Sequence, residues 1–207
     1  MEKRKIVFAS ANPGKIREAS EILGEGFEII SAAEAGVTED IPETGSTLRA
    51  NSLQKAEYIY KKTGMDCFAD DTGLEVDILG GAPGVHTARY AGEGKDFNAN
   101  ISKLLSEMER AERAGGHPGS QLSMTRKARF RTSVTLIIGG EIHNFDGVME
   151  GEIARERSGE GGFGYDPVFI PDGCGGLTAA EIPEEEKNAI SHRGKSLRAM
   201  AAFLSIL

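Results

Sequence analysis

Apolar residues follow two rhythms along this chain: short solid runs, and stretches where apolar positions recur every three or four residues. "KIVFAS" (residues 5–10) is a solid run, the pattern of a strand covered on both faces. In the "IREASEILG" that follows, Ile16, Ala19 and Leu23 fall at helical spacing. Asn12 can cap that helix, Pro13 suits its first position and Gly24 its end. "FEIIS" (residues 27–31) reads as the next strand, so the chain opens as β-α-β with a right-handed crossover. A second helix is predicted in "STLRANSLQKAEYIYKKTG". Ser46 or Thr47 caps it, Ala50, Leu53, Ala56 and Tyr60 share its apolar face, and Gly64 closes it.

Beyond that helix, "CFAD" predicts a strand ending at Asp70-Asp71, and "LEVDIL" another after a turn. "GGAPGV" (residues 80–85) reads as a loop and "FNANISKLLSEMERAERA" as a helix. Residues 115–125 are polar and breaker-rich, the composition of a mobile surface connection. "KARFRTSVTLIIGGEIHNFDGVMEGEIA" alternates around a Gly-Gly, as an antiparallel hairpin does. "GEGGFGYDPVFIP" is a Gly-rich turn feeding a strand. One closing helix is predicted from residue 184 on, with Leu197, Met200, Ala201 and Leu204 as its buried stripe. The sum is a mixed α/β chain, one domain over residues 1–207, with a smaller β-rich lobe at about residues 130–155.

Charge and cysteine content narrow the field. A formal net charge of −8 argues against a nucleic-acid binder, which needs a basic surface. No apolar run approaches a membrane span, and the apolar stretch after "MEKRK" is too short for a signal peptide. Cys67 and Cys174 form no disulfide framework, and Cys67 reads as a reduced core residue. A cytoplasmic protein is expected.

Candidate chemistry gathers where elements begin and end. "SANPGK" (residues 10–15) joins a buried strand to a helix start. Free N–H groups and the helix dipole there attract phosphate, and Lys15 adds a full charge. The G-x-x-x-x-G-K-[ST] spacing of a Walker A loop is missing, so a plain capped helix with an exposed lysine is the competing reading. Asn51 and Lys55, one turn apart, share a face other than the apolar one. Glu43 lies in the loop before them. Neighbouring strand residues point to opposite faces, so Asp70 and Asp71 should do different jobs. One can reach a cleft at a sheet's end while the other holds a supporting partner. A cleft carboxylate with Glu43 suits Mg²⁺, and a simple Asp-Gly turn is the alternative. "GGFGYDP" offers aromatics in a flexible loop, fit to stack on a base, the alternative being a tight turn with a Phe anchor in the core. "SHRG" with Lys187 offers three donors near a helix start. His117 and His143 have no such context, the histidines are too scattered for zinc, and no G-x-S-x-G occurs.

Taken in order, "SANPGK", "ETGSTLRANSLQKA", "ADDTGLEVDILGGAPGVHTARYAG", "GGFGYDPVF" and "EEKNAISHRGKSL" resemble the inosine/xanthosine triphosphate pyrophosphatase family, from residue 5 to about residue 204. That resemblance implies a long twisted central sheet flanked by helices, and two lobes with an active-site cleft between them. It implies Mg²⁺-dependent hydrolysis of ITP, dITP, XTP and dXTP to the monophosphate and pyrophosphate, cleansing the nucleotide pool. By motif, Ser10, Ala11, Asn12, Pro13, Gly14, Lys15 and Lys55 would hold the phosphates. Glu43 and Asp71 would face the metal, with Asp71 as proton acceptor and Asp70 in support. Thr72 would touch the substrate. Phe163, Gly164, Tyr165 and Asp166 would form one wall of the base pocket, and Lys187, His192 and Arg193 the other. A homodimer is implied as well. Many relatives carry Glu-Asn where this chain has Ala50-Asn51, which implies weaker Mg²⁺ binding here. A hydrolase for pyrimidine nucleotides and a silent nucleotide sensor are the rival readings.

Overall fold

The computed structural model describes residues 3–115 and 126–207. The connection at residues 115–125 lies, beyond Gly115, outside the described residues, as does His117. Among the described residues the elements run β1 (Arg4–Phe8), α1 (Pro13–Leu23), β2 (Phe27–Ser31), α2 (Leu48–Thr63), β3 (Cys67–Val76), β4 (Pro83–Gly84), α3 (Phe97–Ala114), β5 (Lys127–Ile138), β6 (Glu141–Ile153), β7 (Phe169–Pro171), α4 (Glu184–Ile190) and α5 (His192–Leu204). The strands form a mixed sheet in the order β2-β1-β3-β5-β6-β7, with β4 on β3, and helices flank it. The mixed α/β expectation is borne out. β1 pairs in parallel with β2 and β3, as the β-α-β opening requires. The Gly139-Gly140 turn, both residues at positive φ, closes the expected β5–β6 hairpin.

The chain divides into two units. The first takes the residues up to Asp71, Thr132–Gly147 and His192–Leu207. Here alternation builds one core on each sheet face. Ile6, Phe8, Phe68, Val134, Leu136 and Ile138 face α1 and α5, meeting Ala19, Leu23, Leu197, Met200 and Leu204. Val7, Ala9, Cys67, Ala69 and Ile137 face α2, meeting Ala56 and Ile59. The Cys67 thiol is free, and burial pushes its pKa up to about 12. In the second unit, Thr72–Arg131 and Val148–Ser191, one core gathers Leu74, Val76, Leu104, Met108, Phe130, Tyr165 and Phe169.

Four expectations are corrected. β3 does not end at the aspartates. It runs through Asp70-Asp71-Thr72-Gly73 to Val76, because Leu74 and Glu75 gain β4 as an antiparallel partner. Residues 80–85 are therefore not all loop. The closing helix is two, because Ser191 is extended at φ −61°, ψ 147°. In α2 the buried face is Leu48, Asn51, Ser52, Lys55, Ala56 and Ile59, so the polar pair shares it with the apolar residues.

Gly147 seats the start of α5. A β-carbon on it would lie 1.9 Å from the His192 carbonyl oxygen. Gly147→Ala should destabilise the protein by about 3 kcal/mol, the upper end of overpacking costs. Urea denaturation checks this, and a midpoint equal to that of the parent would refute the close seating.

Candidate active site

The site grows from the point where β1 stops and β3 continues. Val7 and Phe8 pair with Cys67 and Phe68, so the chain leaves β1 just before β3 reaches its aspartates. Asp70 falls on the α1/α5 face with Phe68, and Asp71 on the α2 face with Cys67 and Ala69.

Asp70 is 1% exposed. Lys15 Nζ donates to both of its oxygens at 2.9 Å, and Arg193 Nε donates to Oδ2 at 3.0 Å. Arg193 also meets Glu18 at 3.4 Å. Burial by itself would raise the Asp70 pKa, but Lys15, Arg193 and Lys55 outweigh it and hold the carboxyl well below the usual range. His192, at the start of α5, is held neutral: burial and then Arg193 push its pKa down to about 3.

Asp71 faces a different set. Asn51 Nδ2 donates to its Oδ2 at 3.0 Å, and Lys55 Nζ lies 3.8 Å from its Oδ1. Lys55 also donates a short hydrogen bond to Glu43. Burial raises the Asp71 pKa, and Glu43 and Asp70 add to it against the pull of Lys55 and Asn51. A carboxylate raised in this way is a stronger proton acceptor than an ordinary one.

At the β1–α1 corner, Asn12 is the cap, accepting from Gly14 N at 2.9 Å and Lys15 N at 3.4 Å. Ser10 Oγ accepts from Asn12 N at 3.2 Å. Ala11, Asn12, Pro13 and Gly14 are exposed, so the corner is open to a ligand. Lys15, in contrast to the capped-helix alternative, is turned inward onto Asp70.

The remaining candidates belong to the second unit. Thr72 continues β3. Phe163 is 67% exposed, its ring edge-on to Phe97 with centroids 4.5 Å apart. Gly164 takes φ +65° beside it. Tyr165 is buried, and its hydroxyl donates to the Thr87 carbonyl at 2.9 Å, so Tyr165 is the anchor of this turn. Asp166 Oδ2 accepts from Phe163 N at 2.8 Å and from Lys187 Nζ at 3.1 Å. Asn51 and Glu18 were not among the predicted site residues. Asn51 had a signal, its place one turn before Lys55, whereas Glu18 had none.

A model of the Ham1 family matches residues 6–203. The chain belongs to the Ham1 family. It is 50% identical over 200 residues to a dITP/XTP pyrophosphatase of Porphyromonas gingivalis, covering 97% of each chain. It is 44% identical to the dITP/XTP pyrophosphatase of Bacillus subtilis, again over 97% of each. A Ham1 protein from Coxiella burnetii has a similar structure, with a TM-score of 0.88 and 38% identity over 99% of this chain and 100% of that one. A dITP/XTP pyrophosphatase from Mycobacterium abscessus gives 0.76 and 42%, covering 97% and 98%. As a Ham1-family chain with pyrophosphatase relatives along its whole length, it is a hydrolase of triphosphate anhydrides.

Asp70→Asn leaves Lys15 and Arg193 buried with less compensation, and should cost about 3–5 kcal/mol at neutral pH. The folded pKa of Asp70 lies below its unfolded value of about 3.9, so its contribution is complete above that pH and is lost as pH falls through the lower folded value. Denaturation of both proteins from pH 7 down to pH 2 should show the gap closing only at the acid end. A gap of constant size would contradict the pairing.

Proposed function

We propose that this protein hydrolyses deaminated purine nucleoside triphosphates, ITP, dITP, XTP and dXTP, to the monophosphate and pyrophosphate, and so cleanses the nucleotide pool. The observation that carries the reading is the meeting of Glu43 and Asp71 on Lys55, beside the open β1–α1 corner. Full-length relatives named dITP/XTP pyrophosphatase supply the substrate class.

The chain's own groups divide the work. Ser10, Asn12, Lys15 and Lys55, with Ala11, Pro13 and Gly14 shaping the corner, receive the triphosphate. Asp71 takes the proton of the attacking water as its oxygen bonds to the α-phosphorus, and pyrophosphate leaves with the electrons of the broken anhydride bond. Thr72 contacts the substrate from the same strand.

Glu43 and Asp71 fit Mg²⁺. They are hard oxygen donors, two carboxylates that meet a single ammonium. Among the described residues no three His, Cys, Asp or Glu side chains gather, which suits a cation that takes its remaining ligands from phosphate and water. When bound, Mg²⁺ neutralises charge developing on the phosphates.

In this reading Phe163, Gly164, Tyr165, Asp166, Lys187, His192 and Arg193 are the residues that recognise the base. Hypoxanthine and xanthine present acceptors at O6 and N7, to which Arg193 or His192 can donate. Adenine presents an amino donor instead, and an unmatched buried donor costs about 1–3 kcal/mol. The reading takes the protein to be a cytoplasmic homodimer, in line with the family resemblance.

Pyrophosphate release should be fast from ITP, dITP and XTP, slow from GTP, ATP and dTTP, and dependent on Mg²⁺. Preference for dTTP would point to the pyrimidine enzyme, and binding of ITP without turnover to a sensor. Asp71→Asn should lose at least about 10²-fold in kcat, the scale of lost general-base catalysis, while still binding ITP. In the absence of divalent cations the same variant should melt at or above the parent temperature, since it removes a disfavoured buried charge. Parental activity in that variant would refute the assignment of Asp71 as base.

A further inference from the structure

Asn51 is 4% exposed and uses both ends of its carboxamide. Gly45 N donates to Oδ1 at 2.7 Å. A backbone N–H can only donate, so this contact settles which way the amide faces. The Nδ2 end is then left to donate to Asp71 Oδ2 at 3.0 Å. That bond occupies one carboxylate oxygen, and the other, Oδ1, is the one nearer Lys55 at 3.8 Å.

The anchoring end is tight. A β-carbon on Gly45 would lie 2.8 Å from Asn51 Oδ1 and 2.7 Å from Ala50 Cβ. Gly45 stands two residues after Glu43 in the same loop. The two acidic groups are therefore linked twice, by the charge of Lys55 and by the neutral amide of Asn51. The two links differ in kind. An ammonium on a flexible stem fixes distance loosely, whereas a planar amide held at both ends fixes the rotation of the carboxylate it touches.

We propose that Asn51 is a positioning residue for the hydrolysis, holding the Asp71 carboxylate in one rotation and tying it to the loop that carries Glu43. The inference rests on the pyrophosphatase reading above and adds to it a residue that acts through Asp71.

The test uses the full chain with Asn51→Asp, Asn51→Ala and Gly45→Ala. Asn51→Asp keeps the shape and the acceptor for Gly45 N but cannot donate to Asp71, so it separates holding the carboxylate from anchoring the loop. For dITP with Mg²⁺, kcat should fall by about 10²-fold in Asn51→Asp and Asn51→Ala, the scale of a small misplacement of a reacting group, with KM within about threefold of the parent. Gly45→Ala should show the same split, because it displaces Asn51 without altering any side chain at Asp71. Crystal structures of the Asn51 variants without nucleotide should show the Asp71 carboxylate rotated.

A kcat within about threefold of the parent in Asn51→Asp would overturn the proposal, as would a fall in kcat matched by loss of ITP binding or of thermal stability. An unrotated Asp71 would overturn it whatever the activity. If the parent protein releases no pyrophosphate from ITP, dITP or XTP, the functional reading fails instead, and the Asp71 rotation still decides the case of Asn51.

Discussion

Two adjacent carboxylates cannot share one environment in this fold, because a strand sends successive side chains to opposite faces. That constraint at Asp70-Asp71 organises the first unit. Asp70 goes to the face covered by α1 and α5, where Lys15 and Arg193 neutralise it. Asp71 goes to the face covered by α2, where Asn51 and Lys55 meet it. Each helix is fixed to the sheet by its apolar stripe, and each delivers polar side chains at the level where β1 has ended. The same alternation that builds two cores thus creates two electrostatic environments around one dipeptide. One carboxyl is driven down and the other up. This separation is the physical basis for giving two identical side chains different work.

Much of this could be read from sequence, and the reasons are local. The solid run of β1, the Asn12 cap, the Thr47 cap and the left-handed Gly64 are set by nearest neighbours. The hairpin followed from alternation and a Gly-Gly turn. What was not legible depended on distant partners. β3 passes through an Asp-Asp-Thr-Gly stretch with turn-like composition because β4 and β5 flank it, and turn propensity yields to pairing. The buried face of α2 carries Asn51, Ser52 and Lys55, so amphipathicity pointed to the wrong side of the helix. Ser52 is buried because its hydroxyl meets Thr135 at 2.8 Å, a contact 83 residues away. In "GFGY" the exposed aromatic is Phe163 and the buried one is Tyr165, a distinction that depends on a hydroxyl reaching Thr87.

The polar residues on the buried face of α2 repay closer thought. Buried asparagine and lysine are tolerated only when their partners are in place. Asn51 satisfies two such partners and Lys55 is drawn upward in pKa by Asp70, Asp71 and Glu43 against its burial. The polar residues of α2 and the carboxylates thus satisfy one another, while Ala56 and Ile59 seat the helix on the sheet.

On the α1/α5 face the ties are ionic. Lys15 and Arg193 come from different helices, yet both close on the same carboxyl. Arg193 is further tied to Glu18, one turn along α1 from Lys15. Lys15, Asp70, Arg193 and Glu18 thus form a run of ion pairs that links α1 and α5 through β3. Gly147 lets the start of α5 lie directly against β6, so Arg193 reaches Asp70 from a helix end held by close backbone contact.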